Sequence, residues 1–404
     1  MEVEAIEPPL EFRRQFLSDK FITRTIGKNT NYLQNIHKLS ILDLTHKYWT
    51  KKKCSLLVDS YLKISQYRST FYNYENQVSP MYSHVLEDLF SKQINTFFMD
   101  INLNPAVFQS FILHKWPHYQ FYYTDGSKVQ NKVGCAIINI QSGFKKLFKL
   151  SGESSIYTAE IMAILFALRH IYSNEPYSCI IFTDSKSIVD RLTYVHRSQQ
   201  LNHIELEIMT LYNKITNLGK NIIISWIKGH AGIKGNEIVD RLAKSALEIG
   251  EEPALNLLPI SDIDIISKRH QKENWQTYYP NTRTGSNYKQ MQPEIPIKRW
   301  FYSVSNRHFI RVINRLRCNH ALTPLHMFSL GLTESPNCEC GQEDDLLHIL
   351  LECSHQSVNI NTFYDNLNIL KIPLPVYLNN LIFSEDINIL KTIYEHIKNC
   401  KYKL

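Results

Sequence analysis

The sequence predicts an α/β protein in which a mixed five-stranded sheet flanked by helices occupies the middle of the chain, between mostly helical N- and C-terminal regions. Runs of β-prone residues separated by turn residues fill positions 119–150. An apolar stripe of 3.6-residue period follows at 158–172, and strand-like runs then alternate with amphipathic helices up to 248. Hairpin-joined strands followed by such alternation favour a sheet with both antiparallel and parallel neighbours.

Each element follows from its own residue pattern. Asp125-Gly126-Ser127 is typical of a turn that ends the first strand, and Asn236 is a good N-cap for the last helix. The predicted strands are 119–124, 133–140, 144–150, 179–183 and 222–227, and the predicted helices are 158–172, 185–192, 203–218 and 236–248. The predicted regions are a helical connector (1–115), the sheet domain (116–250), a helical linker (251–335), a Cys/His motif (336–355) and a helical tail (356–404).

Length and composition narrow the class of protein. A chain of 404 residues exceeds one usual core, and 44% hydrophobic with 21% charged residues is ordinary for a folded protein. The net charge of +7 is compatible with a polyanionic partner but does not require one. The sequence has no long apolar run and begins with acidic residues, so we expect no membrane partner and an intracellular protein, nuclear or cytoplasmic, not a secreted one. Its eight cysteines should then be reduced thiols or metal ligands.

Four carboxylates are predicted to converge. Asp125 and Asp184 each follow a predicted strand, and the carboxyl ends of strands in an α/β sheet meet at one crevice. Glu160 begins the long helix, and Asp240 lies one turn into the last one. A single Asp after a strand is usually a turn former. Four together are different, because two like charges about 4 Å apart repel by ~4 kcal/mol at an effective dielectric of 20. Their convergence therefore indicates a bound cation, and oxygen ligands favour Mg²⁺ or Mn²⁺.

These acids lie in four segments that resemble the signature blocks of type 1 ribonuclease H. In order, the segments are Tyr-Thr-Asp-Gly-Ser (123–127), Thr-Ala-Glu (158–160), Phe-Thr-Asp-Ser (182–185) and Gly-His-Ala-Gly-Ile-Lys-Gly-Asn-Glu-Ile-Val-Asp-Arg-Leu-Ala-Lys (229–244). The resemblance implies a ribonuclease H-like fold for residues 116–250. It also implies endonucleolytic hydrolysis of the RNA strand of RNA–DNA hybrids by two-metal catalysis, leaving 3′-hydroxyl and 5′-phosphate ends.

The same resemblance implies roles for individual residues. Two Mg²⁺ or Mn²⁺ ions would be held by the catalytic acids Asp125, Glu160, Asp184 and Asp240. His230 matches the family's mobile histidine, which assists proton transfer and product departure, and Asn236 matches an asparagine that contacts the hybrid. Trp226 matches an aromatic of the last block, although plain packing explains it better. A basic, Trp-rich handle found in bacterial members is absent, since 193–220 holds only Arg197, Lys214 and Lys220 as basic residues. Hybrid affinity should then depend on flanking regions.

A second motif lies near the C-terminus. Cys338, Cys340, His348 and Cys353 form C-x-C-x₇-H-x₄-C, which suits tetrahedral zinc, although a first gap of one residue instead of two leaves unrelated thiols as an alternative. Residues 315–353 resemble the segment after the ribonuclease H domain in non-LTR retrotransposon polyproteins of the I and Jockey kinds, and residues 8–20 resemble their connector. This implies the C-terminal piece of such a polyprotein, with a separate or fused reverse transcriptase as partner.

Three functions stay open at this stage. The first is an active hybrid ribonuclease. The second is a non-catalytic nucleic-acid-binding remnant of a mobile element, and the third is mainly a zinc-dependent interaction protein. The intact set of four acids favours the first, because a freely drifting remnant should lose at least one of them.

Overall fold

A computed structural model describes residues 2–28, 31–67, 93–100, 104–174, 177–194, 201–253 and 257–401. The chain divides into two compact units. The first, here called the sheet unit, is residues 14–269, and the second, the C-terminal unit, is residues 1–13 together with 270–404. In the described ranges, no helix has both the length and the apolar character needed to cross a membrane.

The N-terminal region is mostly helical, as predicted, but it contains one strand. Its elements are α1 (Glu2–Ala5), α2 (Leu10–Lys28), α3 (Asn31–Thr45), α4 (Leu56–Ser65), β1 (Thr96–Phe98) and α5 (Pro105–Lys115). Ser55 caps α4 by accepting a hydrogen bond from the Val58 amide. Ile22, Leu33 and Ile64 pack into one apolar cluster with Leu258 and Ile263 from the other end of the sheet unit.

The central region forms a mixed sheet, which confirms the predicted fold class. Its elements are β2 (Gln120–Val129), β3 (Lys132–Asn139), β4 (Phe144–Leu150), α6 (Ile156–Ser173), β5 (Ser178–Thr183), α7 (Lys186–Thr193), α8 (His203–Asn217), β6 (Asn221–Trp226) and α9 (Lys234–Ile249). The strand order is β1-β6-β5-β2-β3-β4. The β2–β3 and β3–β4 pairs are antiparallel, and the other three pairs are parallel.

The sheet has six strands, not the five that were predicted. The additional strand, β1, pairs with β6 through the register Thr96 with Ile224 to Phe98 with Trp226. The sequence gives little sign of it, because three residues cannot show a period-2 pattern and Phe98 is exposed. Thus the sheet extends upstream of the predicted domain start at 116, although the predicted domain boundaries themselves stay predictions.

Helices cover both faces of the sheet. On one face, Val133, Cys135 and Ile181 pack with α6, α7 and α8. On the other, Phe182 and Ile223 pack with α5 and α9. Neighbouring residues of a strand point to opposite faces, so strands buried on both sides read as continuous apolar runs. This explains why β5 and β6 lack polar alternation.

The predicted turn at Asp125-Gly126-Ser127 is wrong. β2 continues to Val129, with Asp125 opposite Ala136 and Gly126 opposite Cys135. Gly126 serves close packing, since a Cβ there would lie 2.6 Å from the backbone nitrogen of Glu160. The glycine therefore lets the first turns of α6 approach the strand that carries Asp125.

The predicted N-cap is also wrong. Helix α9 begins at Lys234 after Ile233, so Asn236 is the third helical residue instead of the cap. Gly235 explains the early start, because a Cβ at this position would collide with the ring of Tyr123. The helix begins where its backbone packs against Tyr123 of β2, and it does so without a side-chain hydrogen bond at its N-cap.

The C-terminal unit is helical. Its elements are the distal part of α10 (Ile260–Tyr278), α11 (Ser286–Met291), α12 (Arg307–Arg317), α13 (Pro324–Ser329), α14 (Ser357–Ile369), α15 (Leu378–Ile382) and α16 (Ile387–Asn399). Helices α12, α14, α15 and α16 share one apolar core. Arg317 is buried there, with its Nη1 atom 3.3 Å from both carboxylate oxygens of Glu4. Residues 1–13 are thereby tied to elements some 300 positions later.

Candidate active site and Cys/His cluster

Asp125 is the most buried of the four predicted acids. Its side chain lies on β2 with the residue only 7% exposed, and one oxygen, Oδ1, accepts a hydrogen bond of 2.7 Å from the Gly126 amide. Burial raises the pKa of Asp125 to about 8, and the charges of Asp184, Asp240 and Glu160 act in the same direction. All four acids are therefore close enough to interact electrostatically.

Glu160 is positioned by the start of α6. Ser155 caps this helix, accepting a hydrogen bond of 3.1 Å from the Thr158 amide, so the helix begins two residues earlier than predicted. Burial raises the pKa of Glu160, a hydrogen bond from Ser185 lowers it, and the charge of Asp184 raises it again. The Ser185 hydroxyl thus favours the ionised form of this acid.

Asp184 follows β5 and is held from several sides. Asn236 donates from Nδ2 to Asp184 Oδ2 at 3.3 Å, and Trp226 donates from Nε1 to the Asp184 carbonyl at 3.0 Å. The backbone of Gly229 also lies against this carboxylate, since a Cβ there would be 2.8 Å from Oδ2. These contacts fix the orientation of Asp184.

Asp240 lies on α9 beside an exposed lysine. Lys244 donates to its Oδ2 atom at 2.7 Å, and the side chains are 20% and 59% exposed for Asp240 and Lys244. An exposed ion pair of this kind contributes about 0–1 kcal/mol, so a cation can replace the lysine at little cost.

His230 and Asn236 have different surroundings. His230 is exposed, and its φ of 52° places it in the left-handed region, in the loop between β6 and α9. Asn236 is only 3% exposed, and its buried Oδ1 atom has no hydrogen-bond partner among the described residues. Its amide contacts Asp184, so in this structure it positions an acid. Its contact with a hybrid stays a prediction.

The carboxylates suit a hard divalent cation. The donor atoms are oxygen alone, which Mg²⁺ and Mn²⁺ prefer. Burying several like charges is unfavourable without a counter-charge, as the raised pKa of Asp125 shows. Within the described ranges, only the Cys/His cluster has three or more metal-ligand atoms that all lie within 4.8 Å of one another. The carboxylate oxygens of the four acids do not meet this distance, so they are spaced more widely.

The predicted Cys/His cluster is assembled in the C-terminal unit. The ligand atoms of Cys338, Cys340, His348 and Cys353 all lie within 4.8 Å of one another. The Cys338 and Cys353 sulfurs are 3.7 Å apart, and Cys340 Sγ lies 3.2 Å from His348 Nε2. A tetrahedron with zinc–sulfur bonds of about 2.3 Å has sulfur–sulfur edges of about 3.8 Å. The four side chains therefore fit zinc, and all eight cysteines of the chain are free thiols.

Local backbone geometry builds this cluster. Gly341 has a φ of 92°, and the turn it makes lets the Cys338 amide donate to the Gln342 carbonyl at 2.8 Å. A backbone hydrogen bond with Gln342 lowers the pKa of Cys340. A π-helical turn, His348–Glu352, aligns His348 with Cys353, whose amide donates to the His348 carbonyl at 2.8 Å. The one-residue gap between the first two cysteines is thus compatible with a four-ligand site.

Comparisons with known proteins agree with this picture of the central region. The RNase H family model matches residues 117–248. Two curated relatives, each named Ribonuclease H, come from Ruthia magnifica subsp. Calyptogena magnifica and Campylobacter concisus (strain 13826). They are 28% and 29% identical over 112 and 111 residues, which is 26% of this chain and 76% of each relative. Residues 117–248 are therefore an RNase H domain.

Sequence reasoning missed several residues that shape the site. Gly126 follows Asp125 and Gly229 precedes His230 in the sequence blocks, yet their role is to permit close approach to Glu160 and Asp184. Ser185 and Trp226 bind the acids through hydrogen bonds. A glycine or serine beside an acid is the available signal, but the same pair also marks a turn. Only the strand register shows whether such a residue forms a turn or packs against an acid.

Proposed function

We propose that the RNase H domain hydrolyses the RNA strand of RNA–DNA hybrids by the type 1, two-metal route, using Mg²⁺ or Mn²⁺. The observation that carries this proposal is that β2, α6, α9 and the turn after β5 bring four acids together. The backbone of Glu160 lies against Gly126, next to Asp125, the side chain of Asn236 on α9 contacts Asp184, and the charges of Glu160, Asp184 and Asp240 all raise the pKa of Asp125. Such convergence is unfavourable for folding unless a cation compensates it, so it indicates a binding site.

Each residue then has a defined role. Asp125, Glu160, Asp184 and Asp240 would hold the cations, which would supply the charge that activates a water and stabilises the leaving oxygen. Asn236 and Trp226 keep Asp184 in place. The water gives up one proton as its oxygen bonds to phosphorus, the bond from phosphorus to the 3′-oxygen breaks, and that oxygen takes up a proton. The ends would be a 5′-phosphate and a 3′-hydroxyl, and we assign to His230, which is exposed in its loop, the role of assisting proton transfer.

A direct assay tests the activity. Purified protein is incubated with a labelled hybrid in Mg²⁺, in EDTA, and as the Asp184→Asn variant, with Asp190→Asn as matched control because Asp190 is an exposed aspartate on α7. We expect cutting by the parent and the control only. His230→Ala should slow cutting by a smaller factor, on the order of 10²-fold. Cutting in EDTA or by Asp184→Asn would reject the mechanism.

The second candidate function is a non-catalytic nucleic-acid-binding remnant. No cutting by the parent, combined with measurable hybrid binding, would favour it. The ordered positioning of Asp184 by Asn236 and Trp226 favours the enzyme instead, since binding alone does not need an oriented carboxylate.

We also propose that Cys338, Cys340, His348 and Cys353 bind one structural Zn²⁺. Four protein ligands leave no position for a substrate, which is typical of a structural site. Ile349 and Leu350, between the ligands, are part of the core of the C-terminal unit. The test is the zinc content per chain. We expect about one ion in the parent and in His355→Ala, an exposed neighbouring histidine, and a clear loss in His348→Ala. Equal contents would remove the site.

We further infer that the chain derives from a non-LTR retrotransposon polyprotein of the I or Jockey kind, acts inside the cell and works with a separate or fused reverse transcriptase. The resemblance of residues 8–20 and 315–353 supports this inference. Sequencing the full transcript tests it. We expect a polymerase reading frame in the same transcript or element, and its absence from both would contradict the inference.

A further inference from the structure

The helix α12 concentrates positive charge on one face. Arg307, Arg311 and Arg315 are spaced four residues apart, which places them in one row along a helix. Phe309, Val312 and Leu316 lie on the opposite side and are buried. Arg307 and Arg311 are exposed and Arg315 is half-buried. We call these three residues the arginine row.

The arginine row has no counter-charge within the described part of the chain. None of its guanidinium groups forms an ion pair there, and the sequence between Glu294 and Glu334 contains six Lys or Arg residues without one Asp or Glu. The 154 residues after 250 carry sixteen residues of each sign, so the charges of this region are segregated along the chain. A local basic surface results although the region is neutral as a whole.

This arrangement is unfavourable for the isolated helix. Like charges at i and i+4 repel by roughly 0.2–0.5 kcal/mol per pair, and a cation in the first turn, such as Arg307, opposes the helix dipole. Two other arginines of the C-terminal unit have acidic partners. Arg299 pairs with Glu7, and Arg317, the last residue of α12, pairs with Glu4. The charges of the arginine row therefore repel one another, and an external polyanion would relieve the repulsion.

An exposed aromatic residue adjoins the helix in sequence. Tyr302 is 86% exposed, in the segment that leads to Asn306, the N-cap of α12. Arginines that neutralise phosphates together with aromatic rings on which bases stack are the usual composition of nucleic-acid surfaces. The guanidinium group is also suited to bidentate contact with phosphate oxygens.

We propose that the arginine row, with Tyr302, binds the phosphate backbone of nucleic acid without reading its sequence. This gives the C-terminal unit a nucleic-acid surface of its own. The inference concerns binding by a unit that contains none of the four acids, so it does not depend on catalysis by the RNase H domain.

Binding by the full chain tests the proposal. All proteins carry Asp184→Asn, so that the probes stay intact. Fluorescence anisotropy is recorded over a range of salt concentrations with three labelled probes of one sequence, namely an RNA–DNA hybrid, single-stranded RNA and duplex DNA. The test variant is Arg307→Gln/Arg311→Gln/Arg315→Gln. The matched control, Lys272→Gln/Lys391→Gln/Lys398→Gln, removes three exposed charges from other helices of the chain.

We expect the test variant to bind at least one probe on the order of tenfold more weakly. The slope of log K against log salt should fall by about 2–3, because each phosphate contact contributes ~0.7–0.9. The control should keep the parent affinity within about twofold. A triple Arg→Lys variant keeps the charges but loses the bidentate contacts, so it should bind more weakly than the parent and more tightly than the triple Arg→Gln variant, which separates loss of charge from misfolding. Tyr302→Ala should weaken binding of single-stranded RNA more than of duplex DNA.

Two results would overturn the proposal. The first is equal binding by the test variant and the control for all three probes. The second is loss of binding to anionic lipid vesicles in the test variant while nucleic-acid binding is unchanged, which would assign the surface to a membrane. Failure of the parent protein to cut hybrids would leave these readouts unaffected, so the catalytic and binding proposals are tested separately.

Discussion

Among single residues, Asp125 shows most clearly how the site opposes folding. Its carboxyl is buried on the central strand β2 and faces three other acids, and its pKa is raised to about 8. In the unfolded chain the same group titrates near 3.9. Between these values the folded state holds a proton that the unfolded state has released, so folding stability falls as pH rises from about 4 to about 8.

Replacing Asp125 with asparagine should therefore stabilise the protein when Mg²⁺ and Mn²⁺ are omitted. We expect the stability gain over the parent to grow from pH 5 to pH 8, by at most about 1.4 kcal/mol per pH unit. Asp190→Asn, on an exposed position of α7, should show no such trend. Denaturant unfolding at several pH values measures both. A constant difference between parent and Asp125→Asn would contradict the assigned environment.

Two glycines of one sequence block should respond differently to alanine. In Gly229→Ala the new methyl group displaces the Asp184 carboxylate, so hybrid cutting should fall by on the order of tenfold or more with little change in the melting temperature. In Gly235→Ala the methyl group collides with the Tyr123 ring, so the melting temperature should fall. Steady-state kinetics and thermal melts separate the two effects. Full activity of Gly229→Ala would show that the carboxylate tolerates displacement.

Among the elements, α5 lies outside the matched segment 117–248 but belongs to the same core. Phe108 and Ile112 pack with Phe182 and Val239 on one face of the sheet. Ile112 is fully buried, whereas Leu113, the next residue, is 44% exposed. The RNase H domain of this chain thus depends on a helix upstream of the residues that define it.

Ile112→Ala should destabilise the sheet unit by roughly 2–5 kcal/mol, the usual effect of emptying a buried aliphatic site. Leu113→Ala should change stability by less than about 0.5 kcal/mol, because its side chain already contacts solvent. Hydrogen exchange at the amides of β5 and β6 provides the measurement. Similar protection in the two variants would mean that α5 is not part of the folding unit.

Much of the element pattern could be predicted from sequence, and the errors share a physical cause. The helix at 156–173 and the strands at 178–183 and 221–226 have clear apolar patterns, so they were predicted within two residues. The turn at Gly126 and the cap at Asn236 were wrong because tertiary approach, to α6 and to Tyr123, decided the local structure. A local residue pattern does not contain the distance between two elements that are far apart in the chain, so it cannot predict such contacts.

The acids of the site could be predicted from the sequence, whereas the residues that position them could not, for a related reason. Residues that hold an acid directly, such as Trp226 and Ser185, act only once β5 and β6 lie side by side. The acids themselves could be named in advance, because they lie in sequence segments that resemble the ribonuclease H blocks, although Asp125 lies within β2 and not after it. The Cys/His spacing was likewise visible, but the π-helical turn that aligns His348 with Cys353 was not.

On the scale of the whole molecule, the C-terminal unit is built from both ends of the described chain. Glu4 is 3% exposed, accepts a hydrogen bond of 2.7 Å from Tyr288, and pairs with the buried Arg317. Arg317 also donates to the carbonyls of Ile382 and Ser384. Removing one partner of a buried ion pair is unfavourable, because the other charge remains without compensation.

Glu4→Gln should lower the stability of the C-terminal unit by about 3 kcal/mol or more. Glu7→Gln is the matched control, since the Glu7–Arg299 pair is exposed and should contribute no more than about 1 kcal/mol. Hydrogen exchange should increase in α12 and α14–α16 for Glu4→Gln, while β2–β6 keep their protection. Equal exchange in the two variants would show that the buried pair is dispensable.

The pairing of Glu4 with Arg317 also sets an order for biosynthesis. The two residues are 313 positions apart, so at about 5–20 residues per second Arg317 is translated roughly 15–60 s after Glu4. All of residues 14–269 leave the ribosome within that interval, and small domains fold much faster. The sheet unit can therefore fold before Arg317 is synthesised, and Glu4 remains solvated and unpaired during that time.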